Sequence, residues 1–105
     1  MNKEMFERLK KIGKHLKEEY HAEKVILYGS YARGEGTEDS DIDILVIAPT
    51  GQRMIDRMTT VSLLLWDIID TLPVSSIVLT PEEFKEKLER GDAFIETIVE
   101  EGTEL

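Results

Sequence analysis

Apolar side chains recur every three or four residues over the first part of the chain, with lysine and glutamate between them. In residues 3–20 they are Met5, Phe6, Leu9, Ile12, Leu16 and Tyr20. This spacing predicts an amphipathic helix with one face turned to a core.

The same period returns over residues 52–72, where the apolar face is wider than a normal stripe. Besides the residues at helical spacing, four further apolar side chains broaden it: Leu63, Leu64, Trp66 and Ile69. The segment is predicted to be a second helix that packs on the core. Its extra width leaves an interface with another protein or with a second copy open, so a homodimer is one expectation.

Three short runs have strand character instead of helical character. They are apolar, rich in β-branched residues and bounded by glycine or proline: KVILYG (24–29), DIDILVIA (41–48) and VSSIVL (74–79). Each is predicted to be a strand. The short SYAR sequence after Gly29 is predicted to form one helical turn.

Capping signals define two helices near the end of the chain. TPEE (80–83) has the pattern of a capping box, with Thr80 as N-cap and Glu83 bonding back to it, and this helix ends at Gly91. A last helix is predicted from about Asp92 to residue 101. The element order predicts a single domain over residues 1–105, of the α/β or α+β class, with a small mixed sheet flanked by helices.

Composition and charge narrow the classes of partner. The formal net charge is −9, which makes duplex DNA an unlikely ligand because such binding depends on neutralising phosphates. A small anionic ligand that arrives with a divalent cation, or a basic protein, remains compatible with the charge, and so does plain solubility. No apolar run has the length of a membrane span or the pattern of a signal peptide, and cysteine is absent. A cytoplasmic protein is expected.

A glycine–serine turn follows the first predicted strand. Gly29 would let a ligand approach the backbone closely, and the hydroxyl of Ser30 could donate to a phosphate oxygen or cap the helical turn. Arg33 lies just beyond. Its guanidinium could hold a phosphate or pair with Glu35 or Asp39, and the sequence leaves both open.

Five carboxylates lie within nine residues after this turn, without a basic residue among them: Glu35, Glu38, Asp39, Asp41 and Asp43. Asp41 and Asp43 stand at the start of a predicted strand, where residues two apart point to the same side. Two carboxylates so placed could ligate a hard cation such as Mg2+, whose charge would offset the cluster. The alternative is that Asp41 caps a turn and Asp43 is an exposed strand residue.

The turn and the aspartates together resemble the signature of the DNA polymerase β-type nucleotidyltransferases. The resemblance covers residues 28–46, and the length and element order resemble the minimal nucleotidyltransferases that are paired with HEPN proteins. It implies transfer of a nucleoside monophosphate, expected to be AMP, from a nucleoside triphosphate such as ATP to an acceptor hydroxyl. It also implies that Gly29 and Ser30 hold the triphosphate, that Arg33 assists, and that Asp41 and Asp43 are catalytic ligands of Mg2+.

One departure from the family pattern leaves two functions open. Active members bring a third carboxylate from the next strand, where this chain has Ser75 and Ser76. A hydroxyl is a poorer magnesium ligand than a carboxylate. Substitution by Glu82 or Glu83 is left open, although helix capping is their expected role. The chain is therefore expected to be either a nucleotidyltransferase, acting on a HEPN-type partner, or an inactive antitoxin-like domain that neutralises such a toxin by binding.

Overall fold

Residues 3–37, 40–70 and 72–105, which the computed structural model describes, contain the predicted elements in the predicted order, with one strand added at the end. The elements are α1 (Lys3–Glu19), β1 (Lys24–Tyr28), β2 (Ile42–Ile47), α2 (Met54–Ile69), β3 (Val74–Leu79), α3 (Pro81–Glu89), α4 (Ala93–Glu101) and β4 (Thr103–Glu104).

The four strands form one mixed sheet in the order β3-β2-β1-β4. Strand β2 runs parallel to β3, whereas β1 is antiparallel to both β2 and β4. The pairing aligns Tyr28 with Asp43 and Asp43 with Ser75. Directly paired residues point to the same face of a sheet, so these three side chains form one row across the end of three strands.

Helices cover both faces of this sheet. Side chains alternate between the two faces along a strand. Those of Ile42, Ile44 and Val46 in β2 therefore pack into one core with α1 and α2. Those of Leu45 and Ile47 pack into a second core with α3 and α4. The α+β class, the mixed sheet and the flanking helices are confirmed. Asp43 has the same parity as Leu45, so it lies on the face that α3 and α4 cover.

The ends of α2 differ from the predicted range of residues 52–72. Arg53 has an extended backbone at the N-cap, and Asp70 ends the helix with a φ of 52°. A guanidinium from α1 holds this end in place, because Arg8 Nη2 donates to the carbonyl oxygens of Ile68 and Ile69 at 3.3 and 3.1 Å. The C-terminal carbonyls of a helix lack intrahelical partners, and Arg8 satisfies two of them at this end of α2.

An ion pair between a buried arginine and a partly exposed glutamate joins the start of α2 to the C-terminal end of β3 and the first turn of α3. Arg57 Nη1 lies 2.6 Å from Glu83 Oε1 and also donates to the carbonyl oxygen of Val78 at 3.2 Å. The predicted capping box is confirmed, because Glu83 N donates to the hydroxyl of Thr80 and the Thr80 N–H donates to Glu83 Oε1. The helical pattern did not predict that Arg57 would be buried, since its position had no apolar signal.

In the part of the chain that the structure describes, we find no helix with the length and apolarity that crossing a membrane requires.

Candidate active site

Asp43 is the second residue of β2, an inner strand, and is partly buried near the N-terminal end of that strand. Its neighbours in the ladder are Tyr28 of β1 and Ser75 of β3. The strand begins at Ile42, so Asp41 lies just outside the ladder and is exposed, whereas the sequence placed both aspartates in the strand. Alternation along the strand therefore fixes the direction of Asp43 alone.

Gly29 brings the backbone of the turn against this carboxylate. Its φ is 75°, a conformation that favours glycine, and a Cβ at this position would lie 2.5 Å from Asp43 Oδ2. A larger residue would therefore be strained and would displace the aspartate. The predicted helical turn follows, because Arg33 N donates to the Gly29 carbonyl at 3.2 Å and Glu35 N to the Ser30 carbonyl at 2.9 Å.

The loop after the turn is fixed by one tyrosine. The ring of Tyr31 lies so close to Gly36 that a Cβ there would meet ring carbons at 2.6 to 2.8 Å. Its hydroxyl donates to the Thr37 carbonyl at 2.8 Å. Within the three described ranges the hydroxyl of Ser30 makes no hydrogen bond, so it is available to a ligand.

The charges of Asp41 and Arg33, two of the predicted site residues, both affect the pKa of Asp43. Burial raises the pKa of Asp43, and the negative charge of Asp41 raises it further, while the positive charge of Arg33 acts in the opposite direction. Three of the predicted residues therefore interact across the gap between the turn and β2. Arg33 also forms the predicted alternative salt bridge, with Nε 3.3 Å from Glu35 Oε2. Glu38 and Asp39 lie outside the described residues.

Two aromatic rings border the same end of the sheet. Tyr28 packs edge-to-face against Phe94 of α4, with ring centroids 5.8 Å apart and an interplanar angle of 89°. Burial, followed by the charge of Asp43, raises the pKa of the Tyr28 hydroxyl. The sequence did not predict that Phe94 lies near the site. Its position in the pattern assigns it to the last helix but does not show which strand that helix packs against.

The register decides which residue of β3 stands where a third carboxylate is expected. Ser75 pairs with Asp43 and is exposed, whereas Ser76 is buried on the opposite face. Glu82 and Glu83 follow the other end of β3. Thr80 is five residues beyond Ser75, which is about 16 Å along a strand. Because Glu83 is also engaged by Arg57, neither glutamate takes the place of the missing acid.

The carboxylates near the glycine–serine turn are the side chains that would have to bind the Mg2+ that the resemblance implies. Among residues 3–37, 40–70 and 72–105 no group of three or more histidine, cysteine or acidic side chains could hold a metal ion. Asp41 and Asp43 supply carboxylate oxygens, which suit a hard divalent cation whose other ligands are water and phosphate. The residues fit such a cation with a reduced protein ligand set.

Comparison with known proteins identifies the family. A family model described as a nucleotidyltransferase domain matches residues 9–104. A "putative protein adenylyltransferase" of Methanocaldococcus jannaschii is 36% identical over 92 residues, which cover 86% of each chain. A protein adenylyltransferase of Thermococcus cleftensis is 52% identical over 33 residues, covering 31% of this chain and 33% of that one.

The chain therefore belongs to the nucleotidyltransferase domain family, and the resemblance stated from the sequence is confirmed. The matches support nucleotidyl transfer as the class of activity. A solved structure from Sulfolobus solfataricus, described as a "putative nucleotidyltransferase", is 29% identical, with 82% of each chain covered and a TM-score of 0.48.

Proposed function

We propose that this protein is a magnesium-dependent nucleotidyltransferase that moves AMP from ATP to a hydroxyl of an acceptor protein. The observation that carries the proposal is the contact between Gly29 and Asp43, at a point where the charges of Asp41 and Arg33 also act on Asp43. A protein acceptor is supported by the names of the relatives, which are protein adenylyltransferases. A HEPN-type protein is the acceptor class that the sequence resemblance implies.

The roles of the residues follow from their chemistry. Asp41 and Asp43 would hold the cation, which would supply positive charge to the phosphates when bound. Gly29 leaves its backbone open to the triphosphate, and the hydroxyl of Ser30 donates to a phosphate oxygen. Arg33 offers a guanidinium to the same phosphates. The acceptor hydroxyl releases its proton to solvent as its oxygen bonds to the α-phosphorus, and the bond between the α-phosphorus and the leaving pyrophosphate breaks.

Transfer of the α-phosphate is the direct test. The purified protein is incubated with α-labelled ATP, magnesium and a candidate acceptor protein, and label on protein is measured. We expect Asp41→Asn and Asp43→Asn each to reduce transfer by at least about 100-fold, since even outer-shell partners of metal ligands contribute 10- to 100-fold. Glu100→Gln, an exposed carboxylate near the end of α4, is the matched control and retains transfer.

A binding function without catalysis is the second candidate, and the observation that favours it is Ser75 beside Asp43. In that case the domain would neutralise a HEPN-type toxin as an antitoxin-like partner. The labelling experiment with α-labelled ATP, together with a measurement of partner binding, distinguishes the two functions. An inert binder transfers no label to any acceptor, while its complex with the partner survives both aspartate substitutions.

A further inference from the structure

The outer face of α2 exposes large apolar side chains. Ile55, Leu63 and Trp66 are 68%, 70% and 73% exposed, and Met58 is 44% exposed. They surround an open groove of about 380 Å³, whose lining is completed by Thr59 and Ser62. Such a contiguous apolar surface is unusual on a domain that acts alone.

The residues around this groove, which we call the α2 groove, are arranged symmetrically along the helix. The small residues Thr59 and Ser62 stand at the centre, Met58 and Leu63 flank them, and Ile55 and Trp66 stand at the two ends. An axis perpendicular to the helix, midway between Thr59 and Ser62, exchanges the two members of each pair. The face is thus complementary to itself when two copies of the helix run antiparallel.

We propose that the occupant of the α2 groove is a second copy of this chain, packed about a two-fold axis through the centre of α2. Ile55 then faces the partner's Trp66, Met58 faces the partner's Leu63, and Thr59 faces the partner's Ser62. The small central pair lets the two helix axes approach closely, since interaxial distance depends on the side chains at the contact. A self-complementary patch of this kind is what a two-fold dimer requires.

Charge supports a second copy over a basic partner. The chain carries a net charge of −9, but none of the side chains that line the groove is charged, so two acidic copies meet here with little repulsion and a basic partner gains no ion pair from the groove lining itself. At the start of α2, the exposed basic side chain in the described part of the chain is Arg53, which is 82% exposed and pairs with Asp56 of its own chain at 3.0 Å. The two-fold axis brings it towards the partner's Asp67, so opposite charges meet at each end.

The size of the α2 groove indicates how tightly two copies are expected to associate. Its residues span 12 positions, which is about 16 Å of helix. The six side chains that line the groove are far fewer than the roughly 20–30 residues per partner of a standard stable complex, so we expect a weak dimer with a dissociation constant on the order of micromolar. Helix α2 covers the sheet face opposite Asp43, so the dimer leaves both candidate active sites open.

Association is tested by mass and by fluorescence. In sedimentation equilibrium, the wild-type chain should move from its 12.0 kDa mass towards twice that value across the micromolar range. Trp66 is the sole tryptophan, so its emission should shift to longer wavelength on dilution. Trp66→Glu and Leu63→Glu should each weaken association at least 10-fold. Val99→Glu, on the exposed side of α4, is the matched control and should leave it unchanged.

The antiparallel register has its own test. Thr59→Lys and Ser62→Glu should each weaken the dimer, and an equal mixture of the two variants should recover part of the lost affinity, because each lysine then faces a glutamate. These positions are on the surface of a long helix, and thermal denaturation confirms that each variant is folded. A chain that remains a monomer at every concentration would overturn the proposal and leave the groove to another protein. A dimer that tolerates Trp66→Glu and Leu63→Glu would also overturn it.

Discussion

Ser75 lies beside Asp43 in the parallel ladder, with its side chain on the same face of the sheet. Its hydroxyl is neutral and binds a hard cation more weakly than a carboxylate would. The sequence could not choose between Ser75 and Ser76, because a strand of unknown register presents either residue to the site. The pairing of β3 with β2 shows that Ser75 is the residue beside Asp43, whereas Ser76 is buried in the apolar core.

A carboxylate at position 75 should therefore restore a third ligand. We expect Ser75→Asp to tighten magnesium binding by about tenfold or more, since a carboxylate is the preferred ligand type, and to increase AMP transfer. Ser76→Asp, one residue along, should bring no such gain and should lower the free energy of unfolding by at least about 2 kcal/mol, because the charge is buried. Magnesium titration calorimetry and urea denaturation check the pair. Tighter binding in Ser76→Asp alone would contradict the register.

At the scale of elements, Arg57 connects the start of α2, the end of β3 and the cap of α3. Replacing a partner in a buried pair leaves the other unpaired. Because the Glu83 side chain is 37% exposed, the expected cost of Arg57→Met is about 2 kcal/mol, less than that of a fully buried pair. Arg90→Met, which removes an exposed pair with Glu86, should cost less than about 0.5 kcal/mol. Urea denaturation at pH 7 measures both.

The cost of Arg57→Met should depend on pH with a definite sign. Hydrogen bonds from Arg57 and then from the Thr80 backbone lower the pKa of Glu83 below its ordinary value of 4.5. The stabilisation is therefore complete above pH 4.5 and is lost as the pH falls through the lowered pKa of the folded state. Denaturation of the wild type and the variant at pH 7 and pH 3 should show the difference shrinking in acid. A difference that grows in acid would contradict this assignment.

Element boundaries show what the sequence could and could not predict. Apolar periods and short apolar runs predicted α1, α2 and the first three strands, and capping signals predicted α3 and α4, whereas β4, with two residues, is too short to show either signal. The C-terminal end of α2 is held by Arg8, a residue of another helix, and this contact is not visible in the local pattern of residues 52–72. At the candidate site, Gly29, Ser30 and the two aspartates belong to one local motif, so the sequence was enough to predict them as a group. Phe94 is brought there by packing between α4 and β1, which a local pattern does not contain.

At the scale of the whole molecule, Leu105 contacts both β1 and α1. Leu105 N donates to the Val25 carbonyl at 2.8 Å, and a Cβ on Gly13 of α1 would lie 2.8 Å from Leu105 Cβ. Alanine favours a helix over glycine by about 1 kcal/mol, but overpacking typically costs about 1–3 kcal/mol. We expect Gly13→Ala to be destabilising by about 1 kcal/mol in urea denaturation. Gly51→Ala, which meets nothing within 4 Å, should not be.

The excess of negative charge makes stability depend on ions in two separable ways. With a net charge of −9, repulsion across the surface should be screened by NaCl, so the thermal midpoint should rise with ionic strength in the wild type and in every variant. Magnesium at constant ionic strength should add a further rise, because a ligand that binds only the folded state stabilises it, by about 2.7 kcal/mol at 100 times its dissociation constant. Asp41→Asn and Asp43→Asn should lose the second effect and keep the first. Differential scanning calorimetry with EDTA, NaCl and MgCl2 separates them, and a magnesium effect that survives both substitutions would place the cation elsewhere.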